Sequence, residues 1–406
     1  MTEIAIGTAV IIGLILALTA GLLLARRWLV PQGALTVTVN DSRVIEAARG
    51  DRLLSVLHGA GIGIPAGCGG SGTCGLCRVE ARGPGAGEPQ ATEKGILSAS
   101  ERRAHVRLAC QVALRGPVAV TVPGDVMAAE TLDCRVLSNR MLAPLIRELV
   151  LELPHGHDFP FRAGSFMQLT APPYRLDFRD IAVPEAFEEE WRIAGWHGLH
   201  AASPAPVTRA YSIANRPEDA GRVVFNIRLA VPPAGQEGEI PPGIVSSWLF
   251  ALKPGDSAGV SGPFGEFHVQ PTGKEMVFIG GGVGMAPLRA MIHEQLGQGT
   301  DRRIRYFYGA RTAADLFYVD EFEALARDHG NFGWTPALSD PAPGDRWTGE
   351  TGFIHDTVFR ALKDHPAPED CEYYLCGPPV MIATVYRTLD RLGVERSAIY
   401  NDDFGA

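Results

Sequence analysis

Hydrophobic and polar positions along this 406-residue chain change their period several times, and each change marks a boundary. Ile4 to Ala25 comes first, 22 residues without a charged side chain. At ~1.5 Å per helical residue such a run spans about 33 Å, enough for the hydrocarbon core of a bilayer. Leu35–Asn40 then alternates apolar with polar, the period of a half-buried strand. Arg43–Ala47 reads as its hairpin partner, and Asp51–Gly59 as a helix with Leu53, Leu54 and Leu57 on one face. Strands at Arg78–Ala81 and Val118–Val122, with a helix over Glu93–Arg103 between them, complete a small unit over residues 33–125.

Cys134–Val136, Leu149–Leu153 and Gly164–Leu169 open a second region of short strands, residues 130–270. Residues 172–206 interrupt it with a stretch rich in aromatic, acidic and proline residues and with no clear period. Such an excursion is either functional, an interaction surface, or a floppy insertion. In the third region, residues 274–406, Met276–Ile279 is an unbroken apolar run, as expected of a parallel strand covered on both faces. A glycine-rich turn and a helix over Leu288–Leu296 follow, with further strands at Arg305–Tyr308 and Tyr373–Leu375. The expected fold is therefore multidomain: a transmembrane helix over residues 4–25, an α+β β-grasp unit, an antiparallel β-barrel and an α/β Rossmann-like domain.

Charge refines the topology. Glu3 is the only charge before the first apolar run, so the basic start of a cleaved signal peptide is missing. Arg26 and Arg27 follow the run, with Trp28 as an interfacial ring, which keeps the downstream side in the cytoplasm and the N-terminus outside. Gly7, Gly13 and Gly21 either mark packing faces or are ordinary membrane-helix glycines. A net charge of −9, with no basic run longer than two residues, argues against a nucleic-acid partner.

The chemistry begins at Gly67–Arg78, G-C-G-G-S-G-T-C-G-L-C-R, which gathers Cys68, Cys74 and Cys77, with Cys110 standing alone downstream. Three clustered thiols and one distant thiol suit a [2Fe–2S] cluster, each iron taking two thiolates. Five residues separate Cys68 from Cys74, one more than in the plant-type spacing. Zinc is the alternative, but it usually takes two C-x2-C pairs. Disulfides need an oxidising compartment, against the topology above. Cys134 lies outside the motif and reads as a small buried thiol.

Arg209-x-Tyr211-Ser212 offers a cation for a pyrophosphate, a ring that can stack on a flat cofactor, and a hydroxyl for a ring nitrogen. Gly243-x-x-Ser246-Ser247 has the make-up of a phosphate-binding helix start. Gly280-Gly281-Gly282-x-Gly284-x-Ala-Pro287, between a strand and a helix, is a dinucleotide arrangement, with proline in place of the third glycine of the usual fingerprint. The 11 histidines show no ligand spacing.

Together with Cys376-Gly-Pro-Pro379, these motifs are similar to the ferredoxin–NADP reductase superfamily. The module order, the 172–206 excursion, Ala337-Leu-Ser-Asp-Pro341 and Asp402-Asp-Phe404-Gly narrow the resemblance to the F subunits of Na+-translocating NADH:quinone reductases. That resemblance implies FAD held by Arg209, Tyr211, Ser212 and Ser246, with Ser212 near the nitrogen that accepts hydride. It implies NADH cradled by Gly280–Pro287, Cys376 facing the nicotinamide, and Phe404 shielding the flavin until nicotinamide displaces it. A [2Fe–2S] cluster on Cys68, Cys74, Cys77 and Cys110 would pass single electrons to other integral-membrane subunits of a sodium-pumping complex in the bacterial inner membrane. Those subunits would reduce ubiquinone and move sodium, since one uncharged helix offers no ion path. Arg311 leaves NADPH open, because an arginine near the ribose can receive a 2′-phosphate. The rival reading is the NADH-dependent reductase component of a multicomponent monooxygenase, with the same three cofactors but normally no membrane anchor. A non-enzymatic iron–sulfur sensor with a degenerate reductase tail is a further alternative.

Overall fold

The computed structural model describes residues 12–19, 21, 33–128, 130–156 and 159–403. Most of the expected membrane segment, residues 4–25, lies outside the described residues. Residues 12–19 and 21 are helical, with Ile12, Leu14, Ile15, Leu16 and Leu18 exposed. Among the described residues no helix is long and apolar enough to cross a membrane.

By contacts the chain divides into two units, one of residues 1–64 and 77–124, the other of residues 65–76 and 125–406. In the first unit five strands, β1 (Ala34–Val39), β2 (Arg43–Ala48), β3 (Arg78–Arg82), β4 (Val106–Leu108) and β5 (Val118–Thr121), form one mixed sheet in the order β2-β1-β5-β3-β4. The β1–β2 hairpin sits at one edge, and β1 pairs parallel with β5 from the far end of the unit. The helix Leu53–Gly59 buries Leu53, Leu54 and Leu57, the face that the pattern of leucines indicates. The helix expected over 93–103 is broken into Ala91–Ile96 and Ala99–Arg103. Ser98 causes the break: its hydroxyl accepts from the Glu101 N–H and the Glu101 carboxylate accepts from the Ser98 N–H, so a new helix starts there.

In the second unit, β6 (Glu130–Ala143), β7 (Ile146–Glu152), β8 (Phe166–Ala171), β11 (Val207–Ser212), β12 (Arg222–Arg228) and β13 (Ser257–Phe264) make an antiparallel sheet, ordered β11-β8-β13-β6-β7-β12. A bridge between Ile213 and Phe225 brings the two edge strands together and closes it. The 172–206 excursion is packed, not floppy. Its strands β9 (Tyr174–Asp177) and β10 (His200–Ser203) pair antiparallel, and its helix Glu185–Ile193 buries Trp191 completely. The Trp191 indole donates to the Pro144 carbonyl at 2.7 Å and stacks on Phe250 of the barrel.

Six parallel strands follow: β14 (Met276–Gly281), β15 (Ile304–Ala310), β16 (Phe332–Leu338), β17 (Glu350–Thr351), β18 (Glu372–Gly377) and β19 (Ile399–Asp403), in the order β17-β16-β15-β14-β18-β19. The strand order reverses between β14 and β18, the place where open α/β sheets take their ligands. The helix Met285–Gly297 springs from the end of β14, starting three residues earlier than its apolar pattern indicated. Ala143, Ile146, Ala163 and Phe267 of the barrel share one core with Phe278, Met291 and Tyr306 of the α/β part. A second junction is polar. Glu321 accepts from Arg289 Nε at 2.6 Å and from His293 Nε2 at 2.5 Å, while Arg289 also donates to the Ala214 carbonyl.

Candidate functional site

None of the seven cysteines is in a disulfide. Cys77 and Cys110 belong to the first unit and are buried. The Cys77 carbonyl accepts from the Ala109 N–H at 2.8 Å, which ties the two cysteine-bearing segments together. Gln111 donates its side-chain N–H to Cys110 Sγ at 3.4 Å, a bond that favours a sulfur carrying negative charge. Thr92 and Gln90 hold Gln111 in place. Behind them lies a buried ion pair. Arg107 spends all five N–H groups, on both Glu93 oxygens and on the carbonyls of Ala86, Gly87 and Glu88. Burial alone would raise the Glu93 carboxyl, but Arg107 and the Gln90 and Leu108 N–H groups hold it below its ordinary value.

Cys68 and Cys74 belong to the second unit. The Cys68 N–H points at Cys74 Sγ, 3.4 Å away. Gly69, Gly70, Gly72 and Gly75 all take left-handed backbone angles, which is why the segment carrying the thiols is rich in glycine. A sulfur-only donor set with backbone N–H groups aimed at sulfur fits an iron–sulfur cluster.

Gly67, Cys68, Cys74 and Leu76 are also part of the wall of a cavity of about 380 Å³. Arg209, Tyr211 and Ser212 of β11 line it, with Gly243–Ser246, Asn226 and Arg228 of β12, and Asp402. Ser212 donates to the Asp402 carboxylate at 3.2 Å. Burial raises the Tyr211 phenol, with the Arg209 charge opposing, so it stays protonated. Ser246 does line the cavity, but its hydroxyl accepts from the Ala230 N–H and donates to the Gly243 carbonyl, each at 3.2 Å. Gly243 must be glycine there, since a Cβ would collide with Ser246 Oγ and Ala230 Cβ. Asn226 was not singled out from the sequence. Its amide N–H donates to the Tyr318 hydroxyl at 2.9 Å, its buried Oδ1 has no hydrogen-bond partner among the described residues, and the residue forms part of the cavity wall. Alternation along β12 gives the only trace of it in the sequence.

A second cavity of about 370 Å³ opens at the C-terminal ends of β14, β15 and β18. Gly281, Gly282, Gly309, Ala310, Arg311, Phe353 and Pro378 line it, and the 172–206 segment adds Glu190 and Trp196. The glycines divide their labour. Gly282 is left-handed with open space at its Cβ position, so a ligand can reach the backbone. At Gly284, by contrast, a Cβ would overlap the Cys376 carbonyl, so this glycine lets the β14 turn lie against the end of β18. Gly280 lies beside Leu288 and the Tyr306 and Tyr308 rings. Pro287 is buried in the first turn of its helix, where its missing N–H costs nothing. Cys376 is fully buried near the end of β18, paired with Gly280 on one side and Asp402 on the other. Phe404 lies outside the described residues. Cys134 is buried in the barrel core and its thiol is pushed up to about 12 by burial and by Asp133. A set of metal-type side chains, Glu275, His365 and Cys371, has its carboxylate bound to Arg305, and we read it as an ion-pair network.

Three domain families match along the chain: the 2Fe-2S iron-sulfur cluster binding domain at residues 37–115, the oxidoreductase FAD-binding domain at 197–269 and the oxidoreductase NAD-binding domain at 278–387. The F subunit of the Na+-translocating NADH-quinone reductase of Pseudoalteromonas atlantica is 44% identical, over 100% of both chains. That of Methylococcus capsulatus is also 44% identical over 100% of both. The chain belongs to the family of Na+-translocating NADH-quinone reductase F subunits. Beyond that family, a cytochrome P450 reductase of Amycolatopsis superposes with a TM-score of 0.61 and 27% identity, over 91% of this chain and 98% of that one. A ferredoxin reductase of carbazole 1,9a-dioxygenase gives 0.59 and 25%, over 92% and 99%. These two carry the same combination of folds, whereas the F subunits match without remainder at higher identity.

Proposed function

We propose that this chain is the electron-input subunit of a Na+-translocating NADH:quinone reductase. NADH binds at the second cavity and FAD in the first, and the [2Fe–2S] cluster is held by Cys68, Cys74, Cys77 and Cys110. The observation that carries the reading is the make-up of the first cavity: Arg209, Tyr211 and Ser212 share its wall with Cys68 and Cys74. A group seated there touches a hydride-accepting site and an electron outlet at once. The flavin, when bound, takes an electron pair from NADH and releases electrons singly to the cluster.

The residues divide the remaining work. Arg209 supplies positive charge for a pyrophosphate and Tyr211 a protonated ring edge. Ser212, oriented by Asp402, presents a hydroxyl to the flavin. The Ser246 hydroxyl is committed to Gly243 and Ala230, so we assign its contact with the FAD phosphates to the backbone of that helix start. Gly280–Pro287 receives the dinucleotide pyrophosphate, with Gly282 as the point of approach. Cys376 closes the nicotinamide end, and Phe404 covers the flavin face in the absence of nucleotide. Residues 4–25 anchor the chain by one span, N-terminus outside, with the domains near 33–125, 130–270 and 274–406 in the cytoplasm. The run without charge and the Arg26–Arg27 pair support this. Quinone reduction and sodium transport belong to partner subunits in the membrane.

An EPR spectrum of the NADH-reduced protein tests the electron order. Cys74→Ala should erase the cluster signal while NADH still bleaches the flavin. A variant whose flavin no longer bleaches would place the cluster ahead of the flavin and overturn the proposal.

A further inference from the structure

The inserted 172–206 segment reaches the nucleotide cavity at one charged contact. Glu190, on the helix Glu185–Ile193, lies 3.8 Å from the Arg311 guanidinium, and both line the cavity, with Trp196 beside them. Arg311 directly follows β15, the second strand of the α/β sheet. That is the place where a dinucleotide fold meets the adenosine ribose, and where an arginine admits a 2′-phosphate. Its backbone is fixed: the Arg311 carbonyl accepts from the Asp340 N–H at 2.8 Å, and the Thr312–Asp315 cap closes the next turn. Its side chain is mostly exposed.

We propose that Glu190 is the residue that makes this site refuse NADPH, by occupying Arg311 and placing a second negative charge beside Asp315. Left alone, Arg311 would be a ready cation for a 2′-phosphate. With Glu190 against it, a 2′-phosphate must displace a carboxylate and then sit next to two of them. A 2′-hydroxyl meets no such penalty, and either carboxylate can accept its hydrogen bond. Burial first, and the nearby Asp315 charge second, raise the Glu190 carboxyl, with Arg311 opposing. The inserted segment is thus a selectivity wall for the nucleotide, anchored on the barrel through Trp191. The inference rests on reading the second cavity as the NADH site.

The test uses the full-length protein with ferricyanide as electron acceptor. We expect Glu190→Gln to raise the ratio of kcat/KM for NADPH over NADH at least tenfold, and to tighten inhibition by 2′-AMP relative to 5′-AMP. Adding Arg311→Ala should abolish both gains, because the gain comes from a freed guanidinium. A helix merely loosened by the substitution would weaken both nucleotides alike and leave the 2′-AMP to 5′-AMP comparison unmoved, which would overturn the proposal. Phe353→Ala separates the two levels of the argument. If it raises the KM for NADH while Glu190→Gln leaves the ratio within twofold, the cavity is right and Glu190 is not its selector. If neither changes any nucleotide parameter, the nucleotide lies elsewhere and both readings fall.

Discussion

At the scale of the residue, the least visible group in the sequence holds the most. Glu93 and Arg107 look like surface charges in a chain that is 20% charged. In the structure Glu93 is 0% exposed and Arg107 4%, and every N–H of the guanidinium is spent. Removing one partner of such a pair strands the other in a dry interior, at a cost of about 3–5 kcal/mol. Arg107→Ala is therefore expected to lose the [2Fe–2S] absorbance and iron content together with the cooperative melting of residues 33–125, while flavin content stays. The same variant melting like the wild type would show that the pair is dispensable. What made the cysteines legible and this pair not is range. Cys68, Cys74 and Cys77 signal by local spacing and by the glycines between them. Glu93 and Arg107 come from a helix and a strand whose meeting depends on the whole unit. Asn226 escaped for a related reason: only its place in the cavity wall marks it, and a cavity has no sequence signature.

Among the elements, β14 was plain because a strand covered on both faces needs an unbroken apolar run, and Met276–Ile279 supplies one. The helix Glu185–Ile193 was obscure because its surface is acidic and its one deep contact, Trp191, finds its partners on the barrel. The helix Val319–Asp328 packs Phe322 into the core shared with Met285–Gly297, and the ionic part of that docking was equally hidden. Burial on its own would raise the Glu321 carboxyl, but His293 and Arg289 hold it down to about 2, against an ordinary value of 4.5. A carboxyl lowered by folding contributes its full stability above the ordinary value and loses it as the pH falls from about 4.5 towards 2. Glu321→Gln should then cost roughly 2–3 kcal/mol at pH 7. Tryptophan fluorescence in urea will read this, since Trp191, Trp196, Trp248, Trp334 and Trp347 all lie in the second unit. The gap between variant and wild type should shrink steadily below pH 4.5. A gap that is constant with pH would mean the carboxylate charge is not what fastens the helix.

For the molecule as a whole, the decisive question is which work can be done without the N-terminal 28 residues. Each cofactor site proposed above draws its residues from beyond position 64, and the 2Fe-2S domain match itself begins at residue 37. Hydride transfer and passage of electrons to the cluster thus need nothing upstream. On the topology proposed above, delivery to quinone does, because the last step would be a meeting between the cluster and a partner proposed to lie in the bilayer. The proposed anchor would confine that search to a surface and raise the effective concentration of the partner, a gain that would be lost when the tether is cut. Deleting residues 1–28 is accordingly expected to leave NADH oxidation by ferricyanide within about twofold of the full chain. NADH-driven ubiquinone reduction by membranes that supply the other subunits should fall to background. The two assays must be run on one preparation with equal iron and flavin content, so that a lost cofactor cannot imitate a lost anchor. If the shortened chain still drives quinone reduction at the full rate, the apolar run is no functional anchor, and the chain docks by its folded surface alone. If ferricyanide activity collapses as well, the upstream residues support the catalytic units directly, and the separation of electron entry from membrane delivery argued here is wrong.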